Sequence, residues 1–103
     1  MAADRRILVI DDEYAIRLLL KSFLEGHDYE VSLAEDGEHA LQAFEEFRPE
    51  VVISDIMMPV HDGLTVVSRI RDRNPSIKVV YLSAWIDEAD TERRLNEELS
   101  NYP

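Results

Sequence analysis

The sequence predicts an α/β fold, a doubly wound parallel sheet with helices on both faces. Three observations predict it. Short apolar runs rich in Val and Ile alternate with stretches whose apolar residues recur at helix spacing. The links between them are short, which leaves helices as the crossovers between parallel strands. Two of the strand-like runs end in aspartates, at the edge where such sheets carry their sites.

The first strand is Ile7 to Ile10, a run without polar interruption, as expected of a strand covered on both faces. Ile16, Leu19, Leu20, Phe23 and Leu24 then fall at helix spacing. Tyr29 to Ala34 is a second, weaker strand. Asp36 stands where an N-cap belongs, before a helix marked by Gly37, Ala40, Leu41 and Phe44. Pro49 follows it, and Val51 to Ser54 is the third strand. Asp62 caps a third helical pattern, Gly63, Val66, Val67 and Ile70, which Pro75 follows before a fourth strand at Val79 to Leu82. The segment from Ile86 to Asn101 is helical by propensity but polar almost all round, with a thin stripe of Ala89, Leu95 and Leu99. It is expected to be the least firmly packed helix.

A chain of 103 residues suits one small domain, here residues 1–103. Its formal charge of −11, from 22 acidic and 11 basic residues, repels a phosphate backbone and disfavours direct nucleic-acid binding. Acid clusters suit a divalent cation or a basic patch on a protein partner, although most of the charge serves to solvate outer helix faces. No cysteine is present, which excludes disulfides, zinc–thiolate sites and thiol catalysis. The apolar run after Met1 to Arg6 is too short for a signal peptide, and no stretch approaches a membrane span. A cytoplasmic location is the expectation.

Asp11 and Asp12 follow the first strand, and Asp55 ends the third. If those strands are neighbours, three carboxylates meet at one rim. Two like charges ~4 Å apart cost roughly 4 kcal/mol at an effective dielectric of 20, so such a cluster calls for a cation or a raised pKa. Oxygen-only ligands favour Mg²⁺. Singly, each residue has a plainer reading. Asp11 or Asp12 serves as a helix cap, Asp55 as a turn acid, and Asp62-Gly63 as a turn. Ser83 alone, at the end of the fourth strand, is uninformative. Their joint placement at one sheet edge favours a phosphoryl and metal site.

Ile7-Leu8-Val9-Ile10-Asp11-Asp12-Glu13, then Ser54-Asp55-Ile56-Met57-Met58-Pro59-Val60-His61-Asp62-Gly63, then Tyr81-Leu82-Ser83-Ala84 resemble a response-regulator receiver domain of two-component signalling. The likeness runs from the first strand to the fourth helix, and its Asp-x-x-Met-Pro-x-x-Asp-Gly stretch is highly specific. It implies a flavodoxin-like fold with strand order 2-1-3-4-5. It also implies that Asp55 accepts phosphoryl from a kinase phosphohistidine. Asp12 would bind Mg²⁺ directly, Asp11 would hold a metal-bound water, and Met57 would offer its backbone carbonyl. Ser83 would donate its hydroxyl to the arriving phosphoryl group, near the Ala84 backbone N–H. The implied partner is a sensor histidine kinase or a phosphotransfer protein.

The family pattern continues with a fifth strand, a lysine at its end, and a fifth helix. None of these is in the sequence. Lys78 opens the fourth strand, at the opposite end of the sheet, and Lys21 lies within the first helix, so neither stands in. The fourth strand then becomes an edge with an unpaired apolar ladder. The expectation is a natural chain that continues past Pro103, or a second chain that covers the edge as a homodimer or by strand exchange.

His27, His39 and His61 show no ligand spacing and read as surface residues. Trp85 either shapes access to Asp55 or packs on the fourth helix, and Arg93-Arg94 reads as a solvated face. No Gly-rich loop follows the first strand, which disfavours dinucleotide binding, and no Walker A motif is present. Two other functions compete. A pseudo-receiver module that is never phosphorylated fits the missing lysine but gives no use to the acid cluster. A haloacid-dehalogenase-type phosphatase needs a second aspartate where Met57 stands.

Overall fold

The computed structural model describes residues 5–56 and 63–82. Met57, His61, Asp62, Ser83, Ala84, Trp85 and the segment from Ile86 to Asn101 lie outside the described residues, as do the expectations placed on them. Strand β1 (Arg6–Ile10) leads to helix α1 (Tyr14–Glu25), β2 (Glu30–Ala34), α2 (Gly37–Phe47), β3 (Val51–Asp55), α3 (Gly63–Arg73) and β4 (Lys78–Leu82). The strands form one parallel sheet in the order β2-β1-β3-β4. This is the parallel α/β sheet that the alternation of strands and helices predicts, in the 2-1-3-4 order that the family resemblance implies.

β1 lies between two strands, and each of its residues from Ile7 to Ile10 is buried. Its residues divide between two cores. Leu8 and Ile10 join Ala34, Ala40, Phe44, Val52, Val66, Val67, Ile70 and Ile77, the core under α2 and α3. Ile7 and Val9 face the other way, toward Leu24 of α1, with Leu20, Val31 and Ile53 around them. Alternate residues of a strand point to opposite faces, so one apolar run serves both layers. Burying such an aliphatic side chain contributes roughly 1.5–3 kcal/mol.

α1 differs from its expected packing. Leu24 is buried, but Leu19 and Phe23 are 65% and 62% exposed. Their spacing makes a helix amphipathic, yet the sheet receives only the Leu20–Leu24 side. β4 is the edge strand among the described residues. Val79 and Tyr81 pack on the α2–α3 core, while Val80 on the opposite face is 51% exposed.

The C-terminal ends of α1 and α2 are fixed by Arg5 and Arg6, at the start of β1. Arg48 caps α2 in the left-handed region, with φ 52°, and its carbonyl accepts from Arg6 Nε and Nη2 at 3.1 and 3.0 Å. Asp28, with φ 68°, ends the turn after α1, and its carbonyl accepts from Arg5 Nε at 3.0 Å. Arg73 Nε meets Glu45 Oε1 at 2.7 Å and ties α3 to α2.

The N-terminus of α2 carries the Asp36 cap that the sequence predicts. Asp36 Oδ1 accepts from the His39 backbone N–H at 2.8 Å and lies 2.8 Å from His39 Nδ1. The bond from the His39 N–H holds the Asp36 carboxyl below its usual range. The Asp36 carboxylate, through its bond to the ring, raises the His39 pKa. A lowered carboxyl stabilises the fold above its unfolded pKa of about 3.9, and that benefit is lost as pH falls through the folded value. A raised imidazole stabilises below about 6.5, and its benefit is lost as pH rises through the folded value. Asp36→Ala is therefore expected to cost about 1 kcal/mol, with the largest deficit between about pH 4 and pH 6.5. Thermal melts of both proteins across pH 3 to 9 check it.

Candidate functional site: an acid rim at the carboxyl edge of the sheet

Strand register builds the site. Ile10 pairs with Ser54 in β3 and with Ala34 in β2, so the next residues along β1 and β3, Asp11 and Asp55, emerge side by side. Asp55 is itself the last residue of β3, opposite Leu82 of β4. Beyond it, the Ile56 N–H donates to the Leu82 carbonyl at 3.1 Å, which continues the ladder past the acid. Beneath the rim, the Ser54 hydroxyl is fully buried and donates to the Asp55 carbonyl at 3.1 Å.

The carboxylates of Asp11, Asp12 and Asp55 each offer an oxygen, and all three lie within 4.8 Å of one another. Asp11 and Asp55 are only 4% and 8% exposed, while Asp12 is exposed. The structure thus brings together the three acids named from sequence. Burial raises the Asp11 carboxyl above its ordinary value, and the neighbouring charges of Asp12 and Glu13 push the same way. The Glu13 N–H, which donates to Asp11 Oδ1 at 2.8 Å, and the Arg17 cation oppose the rise.

Asp11 does combine two roles. Its side chain organises the turn into α1, where Glu13 occupies the cap position and makes no side-chain cap bond. Its carboxylate still faces the other two acids. A cluster of oxygen donors, two of them buried, fits a hard divalent cation of the Mg²⁺ type. Burial and the neighbouring charges that raise the Asp11 carboxyl are a cost that such a cation would offset.

Sequence reasoning missed two features here. Arg17 Nη1 donates to the Asp11 carbonyl at 2.8 Å, with its guanidinium 5.6 Å from the Tyr14 ring centre. An arginine on a helix reads as a solvated charge, and only its place in the first turn after the acids hinted otherwise. His39, taken as a surface residue, is exposed but joins Glu35 and Asp36 in a second group of possible ligands within 4.8 Å. Its i, i+1, i+4 spacing was the available signal. There the Asp36 oxygen is already engaged by the helix N-terminus.

No helix among the described residues is long and apolar enough to cross a membrane. The family model for the response regulator receiver domain matches residues 7–102. The chain is 36% identical to the chemotaxis protein CheY of Listeria monocytogenes over 80 residues, 77% of this chain and 67% of that protein. It is 37% identical over 87 residues to the alkaline phosphatase synthesis transcriptional regulatory protein PhoP of Bacillus subtilis, 84% of this chain but 36% of that protein. The chain thus spans about a third of the length of such regulators. The chemotaxis protein CheY4 of Vibrio cholerae superposes with a TM-score of 0.82 at 27% identity, covering 90% of this chain and 78% of that one. With the parallel 2-1-3-4 sheet and the acid rim at its carboxyl edge, these matches make the chain a member of the response regulator receiver domain family.

Proposed function

We propose that residues 1–103 act as a phosphoacceptor module of a two-component phosphorelay, with Asp55 as the acceptor. The observation that carries this reading is the meeting of Asp11, Asp12 and Asp55 within 4.8 Å at the carboxyl edge of the sheet. The donor is the phosphohistidine of a sensor histidine kinase or phosphotransfer protein, met in the cytoplasm without direct contact to nucleic acid or membrane.

An Asp55 carboxylate oxygen attacks phosphorus. The new P–O bond forms as the P–N bond breaks, and the electron pair leaves with the imidazole nitrogen, which takes up a proton. Little covalent help is needed. Placement of the nucleophile and neutralisation of charge supply most of the catalysis. Asp11, Asp12 and Asp55 would hold Mg²⁺, with the Met57 backbone carbonyl as a further ligand. When bound, the ion neutralises the acids and the phosphoryl oxygens together. Burial of Asp55 keeps the nucleophile on a rigid strand end, and β1 holds Asp11 at the same level. Ser83 would donate its hydroxyl to the transferred group, and its movement would pass the change to the segment that follows, shifting a two-state equilibrium.

Incubation of the intact chain with acetyl phosphate and Mg²⁺ should add one phosphoryl mass, and omission of Mg²⁺ should prevent it. A folded, unmodified chain under those conditions would instead be an interaction module without phosphoryl chemistry.

A further inference from the structure

We propose that Arg17 is a positioning residue for the acid rim. Its guanidinium fixes the peptide between Asp11 and Asp12 and so sets where the Asp12 carboxylate stands. The inference rests on the reading of the rim as a divalent-cation and phosphoryl site.

Asp11 is held from three directions. Its N–H donates to the Ala34 carbonyl at 3.1 Å, at the end of β2. Its carboxylate accepts from the Glu13 N–H at 2.8 Å, inside its own loop. Its carbonyl accepts from Arg17 Nη1 at 2.8 Å. The first two bonds fix the strand end and the side chain of Asp11. The third grips the carbonyl of the peptide that leads to Asp12, a peptide that the Glu13 bond also spans as part of its turn. The Asp12 side chain is exposed, and no hydrogen bond or ion pair holds it among the described residues. Its direction therefore follows the plane of the Asp11–Asp12 peptide, which the Glu13 turn bond alone restrains less tightly about ψ of Asp11 and φ of Asp12 once the carbonyl is released.

Arg17 suits the task. It is half-buried on the first turn of α1, and the Tyr14 ring lies 5.6 Å from its guanidinium carbon. A planar donor fork of this kind loses little freedom on forming its bond. The bond also spans the loop, joining residue 11 to residue 17, so the acid-bearing turn and the helix move as one unit.

Positioning and charge predict opposite results, which makes the proposal testable. Removing a cation that acts on the Asp11 carboxylate, with nothing else altered, tightens binding of a divalent ion. Loss of positioning loosens it. Mn²⁺ serves as the probe, with free ion counted by electron paramagnetic resonance, on wild type, Arg17→Lys and Arg17→Met.

The expected order of affinity is wild type, then Arg17→Lys, then Arg17→Met, with Arg17→Met about tenfold weaker than wild type. Phosphorylation by acetyl phosphate should need more Mg²⁺ in Arg17→Met but approach the wild-type rate at saturation. A role in fold stability alone would lower the metal-free melting temperature and leave the affinity of the folded protein unchanged. Equal or tighter Mn²⁺ binding in Arg17→Met overturns the proposal. Should that variant lose its cooperative melt, Arg17→Lys decides, and affinity equal to or above wild type overturns it. A wild type that binds no Mn²⁺ overturns the phosphoacceptor reading and this inference together.

Discussion

Asp55→Asn should take up no phosphoryl group from acetyl phosphate, under conditions in which the wild type gains one. The asparagine oxygen is uncharged and its lone pair is shared with the amide nitrogen, so the nucleophile is lost while shape is kept. Asp55 is buried at the end of β3, and its backbone pairs with Leu82 of β4. An isosteric amide leaves that pairing intact, and the variant should melt cooperatively. Loss of modification with the fold retained is therefore the expected pair of results. Mass spectrometry of the intact variant reads the first and circular dichroism the second. A variant that still gains one phosphoryl mass has its acceptor elsewhere.

Asp11→Asn should make the metal-free protein more stable while removing its response to Mg²⁺. Burial raises the Asp11 carboxyl, so the ionised form is a cost to the folded state. The sign follows from proton binding. A carboxyl whose folded pKa is raised contributes stability that is fully present below the unfolded value of about 3.9 and is lost as pH rises through the folded value. At neutral pH the wild type carries this cost and the asparagine variant does not. The oxygen that accepts from the Glu13 N–H is retained in the amide.

Two charges ~4 Å apart oppose each other by roughly 4 kcal/mol at an effective dielectric of 20. Asp12 is exposed, which weakens the repulsion, so a gain of about 1–2 kcal/mol is expected at pH 7. For a domain of this size that corresponds to roughly 4–8 °C per kcal/mol. The gain should vanish near pH 3. Mg²⁺ should raise the melting temperature of the wild type and not that of the variant. An apo variant less stable than wild type at pH 7 contradicts this assignment.

Much of this architecture was legible because its physical causes are local. A strand covered on both faces must be apolar at every position, and Ile7 to Ile10 announces that. β2 read more weakly because it is the opposite edge of the sheet, where Val31, Ser32 and Leu33 are only half-buried. The acid rim was legible as soon as β1 and β3 were taken as neighbours, since their ends then fix Asp11 and Asp55 together. What periodicity leaves open is which part of an apolar stripe meets the sheet. Leu19 and Phe23 share the spacing of Leu20 and Leu24 but face outward. Arg17 was hidden for another reason. Its partner is a main-chain carbonyl, and backbone acceptors carry no residue-type signature.

On the proposed reading, one divalent ion is shared by the ends of β1 and β3. Paramagnetic broadening of amide signals on substoichiometric addition of Mn²⁺ tests it most directly. Signals from Ile10 to Glu13 and from Ser54 to Ile56 should fade together, while Arg6, Glu30 and Lys78, at the far edge of the sheet, persist. Broadening confined to Glu35, Asp36 and His39, or to one of the two strand ends alone, would contradict the account.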